Sequence, residues 1–264
     1  MDPKQFTGNA PGRVVRVHKD DLAFWAFVPN PLPPKINFDP KLVRELSEAN
    51  LALGELAGLG RNISNPNLLI NPFIRREAVL SSMIEGTQTQ IKHLYAYEAG
   101  QLNISGFGPQ PSEPDLREVA NYVNAMRYGL DRLKEFPLAK RFIRELHEKL
   151  LEGVRGGEID RTPGEFRRSP NWIGAPGDTP ARATFVPPPV EEMDTALDGF
   201  EKYLNKENDP YPLLVRLAFI HYQFEAIHPF LDGNGRIGRL LISLLLVYWD
   251  LLPQPLLYLS AYFE

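Results

Sequence analysis

Cysteine is absent from this chain of 264 residues, so disulfide bonds and thiolate metal sites are excluded. That absence is consistent with a reducing compartment. Basic residues are not in excess either, since the formal net charge is −4 and the isoelectric point is near 5.8. Because nucleic-acid-binding domains are usually basic, this charge balance argues against a nucleic-acid partner for this segment.

Long hydrophobic runs are also missing, and no leader sequence is expected. The longest apolar stretch, Leu240 to Trp249, is too short to span a bilayer, and Met1 to Gln5 does not begin a signal peptide. A P-loop is lacking because no Gly-Lys-Ser or Gly-Lys-Thr occurs. We therefore expect a soluble, cytoplasmic protein with no membrane partner.

Helical patterns are present along most of the chain, which predicts an all-α fold. Apolar residues recur at helical spacing in seven segments. The first segment follows a helix start at Asp39-Pro40 and is predicted to face inward with Leu42, Leu46, Ala49 and Leu53. The second follows Asn71-Pro72, and the others are Ser112–Phe136, Leu138–Val154, Met193–Leu204, Leu213–Ile227 and Leu240–Trp249.

One stretch, residues 228–239 with the sequence HPFLDGNGRIGR, combines the groups that a triphosphate site needs. A helix predicted to start at its Gly-Asn-Gly turn would present unpaired amides and a positive dipole end. Gly233 and Gly235 lack a Cβ, so the backbone there can take positive φ and direct successive amides at one anion. The turn is predicted to bind phosphate.

The charged side chains of this stretch fit the same interpretation. Arg236 and Arg239 are three residues apart, so on a helix both guanidinium groups can hold one polyphosphate. Asp232 is a hard oxygen ligand suited to Mg²⁺, which binds through carboxylates and substrate phosphates. His228 lies four residues upstream and is predicted to accept a proton.

Residues 228–239 match the pattern His-x-Phe-x-Asp/Glu-Gly-Asn-Gly-Arg-x-x-Arg of the Fic family, and the chain resembles the protein adenylyltransferases of that family, which move AMP from ATP to a hydroxyl side chain. The resemblance implies a Fic-type helical bundle with a small β-hairpin flap beside the active site. It implies ATP as co-substrate, His228 as general base and Asp232 as the Mg²⁺ ligand. It assigns phosphate binding to Gly233, Asn234, Gly235, Arg236 and Arg239.

A second motif lies upstream, where Ser81 and Glu85 share one face of the helix predicted after Asn71-Pro72 and Gly86 is its predicted stop. The segment resembles the Fic inhibitory pattern Ser/Thr-x-x-x-Glu-Gly/Asn. The resemblance implies an inhibitory role for Ser81, Glu85 and Gly86. It implies that Glu85 pairs with Arg239 and keeps the γ-phosphate of ATP from seating productively.

A third feature is a short segment with strand character, Thr184, Phe185 and Val186, which three prolines end. We expect it to form one side of a short hairpin. The resemblance implies that this hairpin is the flap that clamps an extended target segment by strand addition.

A single helical domain is expected, organised as an extended N-terminal arm over residues 1–35, N-terminal helices over 36–110 with the inhibitory helix at about 72–86, and a Fic catalytic core over 111–264. We expect the parent chain to continue beyond this core into a further module. The expected partners are a protein substrate modified on a Tyr, Ser or Thr hydroxyl, the chain itself through autoadenylylation, and a second copy in a homodimer.

Three functions remain open on the sequence. The first is an adenylyltransferase restrained by Glu85. The second is a phosphodiesterase that uses Glu85 to remove AMP from a modified protein. The third is a non-catalytic nucleotide-binding adaptor, which the presence of both His228 and Asp232 disfavours.

Overall fold

The structure is a computed structural model that describes residues 1–6, 8, 10–19, 22–101, 111–154 and 162–263. The predicted domain boundary at residue 110 and the predicted domain end at residue 264 lie outside the described residues. The described residues form two strands, β1 (Gly12–Lys19) and β2 (Leu22–Pro29), and nine α-helices. The helices are α1 (Pro40–Arg61), α2 (Pro66–Ile84), α3 (Ile91–Glu98), α4 (Glu113–Arg132), α5 (Lys140–Leu150), α6 (Val190–Leu204), α7 (Leu213–Ile227), α8 (Asn234–Tyr248) and α9 (Ser260–Phe263).

The predicted all-α class is confirmed, because the only sheet within the described residues is the β1–β2 pair. Two predicted helix starts are also confirmed by their caps. Asp39 Oδ1 accepts from the Leu42 amide at 2.8 Å, and Ser112 Oγ accepts from the Asp115 amide at 3.2 Å. Across the ranges that the structure describes, no helix is both long and apolar enough to cross a membrane.

The chain divides into two compact units that do not follow chain order. One unit contains residues 1–37, 138–140 and 166–234, and the other contains residues 38–137, 141–165 and 235–264. The loop between α7 and α8 belongs to the first unit up to Asn234, and α8 continues from there into the second.

In the first unit, β1 and β2 form an antiparallel hairpin in which Gly12 lies opposite Pro29, and β2 packs on α6 and α7. Phe24, Ala26 and Phe27 are buried in a cluster with residues 183, 186 and 226. The extended arm predicted for residues 1–35 is therefore wrong for residues 12–29, which form this hairpin. The signal is present in the sequence, because β1 contains three valines and β2 contains two phenylalanines and a tryptophan.

The second unit is built on α2, which packs against α3, α4 and α9. This helix begins at Pro66, not at Pro72 as predicted, and Pro72 lies inside it. An internal proline removes one backbone hydrogen bond. The apolar stripe nevertheless extends upstream of Pro72, since Ile70 and Ile74 are both buried, and this packing outweighs the local cost.

Two other predictions for this unit need correction. The first half of α1 is not packed inward: Ala49 is exposed, Leu42 and Leu46 are half-buried, and only Leu53 of the predicted four is buried. Helix α3 was not predicted. A reciprocal cap between Gln90 and residue 93 starts it, a weaker signal than the Asp and Ser caps that begin α1 and α4.

Candidate active site

His228 is the residue directly after α7, and its backbone is left-handed with φ 49°. Its amide donates to the carbonyl of Phe224 at 2.9 Å, which ends the helix. A non-glycine residue in this conformation must be held by its surroundings. The imidazole is mostly buried, and its Nδ1 lies 4.0 Å from a carboxylate oxygen of Glu225.

Arg167 supplies much of that support and was not assigned a role by the sequence. Its side chain is 1% exposed, and its guanidinium donates to backbone carbonyls, to His228 O at 2.9 Å and Pro188 O at 2.6 Å. The Arg167 amide also donates to Pro229 O at 2.9 Å. Burial lowers the pKa of Arg167 to about 10. The positive charge lies at the C-terminus of α7, where the helix dipole stabilises it.

Two asparagines fasten the loop between His228 and α8. Asn171 Nδ2 donates to Phe230 O at 2.6 Å and to His228 O at 3.3 Å. Asn234 Oδ1 accepts from the Phe230 amide at 2.9 Å, and its Nδ2 donates to Phe230 O at 2.8 Å. The side chain of Asn234 therefore closes the loop, and only its backbone amide is suited to the phosphate contact expected of this residue.

Asp232 and Gly233 form the tip of this loop. Asp232 is half-buried, and its Oδ1 accepts from the Gly233 amide at 2.7 Å. Gly233 has φ 77°, as predicted. Gly235 does not share this conformation, because it lies in the first turn of α8. The prediction of positive φ was therefore right for Gly233 and wrong for Gly235.

Each of the two motif arginines in the first turns of α8 contacts a carboxylate from another helix. Arg236 Nη1 donates to Glu118 Oε2 of α4 at 2.8 Å, and Arg239 Nη2 donates to Glu85 Oε1 at 2.6 Å. Arg239 also reaches Ser81, with Nε donating to Ser81 Oγ at 2.8 Å and Nη2 to Ser81 O at 2.9 Å. The ion pair that the family resemblance implied is present. The Glu118 contact was not predicted, because nothing in the local pattern of α4 distinguishes Glu118 from a surface glutamate.

The end of α2 places Glu85 at this point. Glu85 is the C-cap residue, and Gly86 follows with φ 100°. The Gly86 amide donates to Met83 O at 2.9 Å and the Thr87 amide to Ser82 O at 3.1 Å, which is the Schellman pattern. The predicted stop at Gly86 is therefore present.

Two charged side chains approach the backbone of Gly235 closely. A Cβ at this position would collide with Glu85 Oε1 and would lie 2.9 Å from Arg239 Nη1. The carboxylate of Glu85 therefore lies against the first turn of α8. A helix N-terminus is a site that favours anions, so Glu85 occupies a place suited to a phosphate oxygen.

The predicted flap is smaller than a hairpin of regular strands. Phe185 pairs with Ile173 in a single antiparallel bridge, with N–O distances of 2.8 and 3.0 Å. The carbonyl of Val186 accepts from the Phe27 amide at 2.8 Å, and the Val186 side chain is buried, whereas Thr184 is exposed. The prolines that follow Val186 end the strand. Because Phe185 bonds to Ile173 and Val186 to Phe27, the backbone of two of the three predicted docking residues is already paired within the chain.

No cluster of three or more His, Cys, Asp or Glu side chains that could hold a metal is present in the ranges that the structure describes. Asp232 alone nevertheless fits Mg²⁺, because this ion typically takes one or two carboxylates and completes its shell with phosphate oxygens and water. A metal here would arrive with a nucleotide.

Comparison with known families gives two matches. The Fic/DOC family N-terminal model matches residues 43–131, and the Fic/DOC family model matches residues 137–246. The chain belongs to the Fic/DOC family.

Individual relatives match parts of the chain. The protein adenylyltransferase Fic of Drosophila persimilis is 33% identical over 133 residues, 49% of this chain and 23% of that protein. The protein of the same name from Drosophila grimshawi is 34% identical over 134 residues, 49% of this chain and 25% of that protein. The match thus spans about a quarter of the length of these relatives. The crystal structure of a Fic family protein from Desulfovibrio desulfuricans G20 has the same fold, with a TM-score of 0.62 and 24% identity over 82% of this chain and 60% of that chain.

Proposed function

We propose that this chain is a Mg²⁺- and ATP-dependent protein adenylyltransferase that Glu85 restrains. The observation that carries the proposal is the engagement of Arg239, a motif arginine, by Glu85 and Ser81 of α2. The complete motif at residues 228–239 and the name of the Drosophila relatives support the activity itself.

The reaction would be an in-line displacement at the α-phosphorus of ATP. The hydroxyl oxygen of a Tyr, Ser or Thr forms a bond to the α-phosphorus, the bond from that phosphorus to the β-phosphate oxygen breaks, and pyrophosphate leaves. His228 takes the hydroxyl proton. Most of the rate enhancement comes from positioning and charge stabilisation, as in other phosphoryl transfers.

The phosphate contacts are assigned to the α8 turn. The amides of Gly233, Asn234 and Gly235 and the guanidinium groups of Arg236 and Arg239 would bind the phosphates. Asp232 would hold Mg²⁺, which neutralises phosphate charge when bound. The target would be a protein with an exposed hydroxyl side chain, or the chain itself.

The restraint follows from the charge of Glu85. Its carboxylate already holds Arg239 and lies against the start of α8, so a phosphate oxygen must displace it to reach the same guanidinium. A nucleotide bound beside Glu85 would be misaligned for attack at its α-phosphorus. Glu85→Gly removes the competing carboxylate.

The test is incorporation of label from ATP labelled at the α-phosphate, first into the chain and then into proteins of a cell lysate. We expect Glu85→Gly to raise labelling well above wild type, and adding His228→Ala to abolish it. Mass spectrometry should find one added AMP on a hydroxyl side chain. Equal labelling of wild type and Glu85→Gly would refute the restraint, and labelling that survives His228→Ala would refute the assigned base.

A second candidate function is removal of AMP from a modified protein, with Glu85 orienting the attacking water. In the described part of the chain, Glu85 makes its hydrogen bond to Arg239 through Oε1, and about a third of its side chain is exposed, so Oε2 is placed to accept from a water. A water oriented in this way could attack an AMP-modified side chain and release AMP. If AMP removal is the main activity, Glu85→Gly abolishes release of AMP from a modified protein.

A further inference from the structure

One face of α2 carries three polar residues at four-residue spacing: Glu77, Ser81 and Glu85. Residues at this spacing are neighbours along a helix surface. Ser81 and Glu85 hold Arg239, whereas Glu77, one turn before Ser81, accepts its hydrogen bonds from Ser260 and Tyr122, and the charge of Arg239 also acts on its carboxyl. Glu77 has no place in the proposed reaction, and its partners indicate a separate role.

The partner of Glu77 is Ser260, at the start of α9. Ser260 Oγ donates to Glu77 Oε1 at 2.6 Å, and the Ser260 amide donates to Glu77 Oε2 at 3.1 Å. Tyr122 OH also donates to Glu77 Oε1, at 3.4 Å. Glu77 is 1% exposed and Ser260 is fully buried, and burial raises the pKa of Glu77. A carboxylate this deeply buried depends on its donors, so the contact ties α2 to Ser260.

Tyr258, two residues before Ser260, contacts α2 at a second place. The ring of Tyr258 packs against Phe73 with 5.4 Å between ring centroids, and the guanidinium of Arg76 lies 5.0 Å from the centre of the Tyr258 ring. Tyr258 and Ser260 together therefore contact residues 73–77 of α2, one to two turns before Ser81. We call this pair of residues the C-terminal clamp.

We propose that the C-terminal clamp positions α2 so that Glu85 reaches Arg239, and that loosening the clamp releases the restraint. The inference rests on the proposed function, because it concerns the control of the same site. A helix transmits a displacement along its length, so a shift at Glu77 moves Ser81 and Glu85 with it. Coupling of this kind is reciprocal: whatever stabilises the clamp also stabilises the Glu85–Arg239 pair.

The test compares Ser260→Ala in two backgrounds by incorporation of label from ATP. In the wild-type background we expect labelling to rise by about fivefold or more, the lower range of allosteric coupling. In the Glu85→Gly background the same change should add nothing, because no restraint is left to release. Ser47→Ala is the matched control, since Ser47 is an exposed α1 residue whose hydroxyl donates to the Val43 carbonyl of its own helix.

The outcomes separate the inference from the proposed function. If Glu85→Gly itself does not raise labelling, the proposed restraint fails. If Glu85→Gly raises labelling but Ser260→Ala does not, the clamp fails alone. A fall in labelling in both backgrounds would show that Ser260 only stabilises the fold, which also overturns the clamp.

A second variant and a second readout distinguish loosening of the clamp from loss of folding. Tyr258→Leu removes the ring contacts with Phe73 and Arg76 and leaves the Glu77 hydrogen bonds in place, and it should raise labelling in the same direction. Hydrogen exchange of the amides of residues 78–84 should become faster in Ser260→Ala, while exchange in α4 stays unchanged. Unchanged exchange in residues 78–84 would contradict the clamp.

Discussion

Replacing Glu85 with glutamine should tighten the binding of ATP more than that of ADP. Glutamine keeps the size of the side chain and one acceptor oxygen but removes the charge that competes with phosphate. The proposed competitor of Glu85 is the γ-phosphate, which ADP lacks. The variant therefore isolates the charge of Glu85 from the backbone freedom that Glu85→Gly also introduces.

The magnitude follows from the ion pair. Nη2 of Arg239 and Oε1 of Glu85 are 2.6 Å apart, and the side chains are 9% and 34% exposed, respectively. A hydrogen bond between charged groups contributes about 1.5–3 kcal/mol, and the partial exposure of Glu85 places this pair at the lower end. Since about 1.4 kcal/mol corresponds to a tenfold change in affinity and glutamine keeps part of the bond, we expect a gain of roughly three- to tenfold.

The assay is titration calorimetry with Mg²⁺–ATP and Mg²⁺–ADP on proteins that also carry His228→Ala, so that the nucleotide is not consumed. Glu55→Gln, on the exposed surface of α1, removes an equal charge elsewhere and should change neither affinity. An unchanged affinity for ATP, or an equal gain for ATP and ADP, would refute the competition for Arg239.

Two further predictions concern the stability of the scaffold. Arg167→Met should lower the free energy of unfolding by about 3–5 kcal/mol, because it leaves buried carbonyls around His228 without a donor. Arg168→Met, at the neighbouring exposed position, should have a small effect. Denaturant melts of both variants measure the two changes, and equal effects would contradict the prediction. The hydrogen bond from Arg132 is the main cause that lowers the pKa of Glu145 from 4.5 to about 2, so the stabilisation from Glu145 is present above about pH 4.5 and is lost as the pH falls towards 2. The difference in unfolding free energy between wild type and Glu145→Gln should therefore shrink over that range, and a constant difference would show that the charge of Glu145 is not its source.

Local patterns in the sequence were sufficient for features that depend on nearby residues. The starts of α1 and α4 follow from Asp39 and Ser112, whose side chains bond to amides three residues away. The end of α2 follows from Gly86, which adopts the positive φ that a helix end of this type needs. Where local and long-range preferences conflicted, the local signal was misleading: Pro72 indicated a helix start, but packing of the stripe around it extends α2 back to Pro66.

For the N-terminal hairpin and the flap, local composition indicates strands but does not show what those strands pack against. Both strands of the hairpin have strand composition and lie next to each other in the sequence, yet the burial of β2 against α6 and α7 depends on residues more than 150 positions away. The strand character at Thr184 to Val186 was recognised, but only the folded chain shows that Val186 pairs with Phe27 and that a single bridge to Ile173 remains. Pairing partners of this kind are chosen by packing, which local composition does not encode.

The sequence by itself determined the chemical inventory of this protein: a histidine, an aspartate, a glycine-rich turn and two arginines in residues 228–239, and a serine and a glutamate on one face of an upstream helix. Spacing along a helix is set by the geometry of the backbone, so these placements are local and follow from residue order. Only the tertiary structure decided which groups the arginines contact. Glu85 and Arg239 are 154 positions apart, and their contact exists because α2 and α8 are held together in the second unit; the close approach at Gly235 and the bond between Glu77 and Ser260 have the same origin.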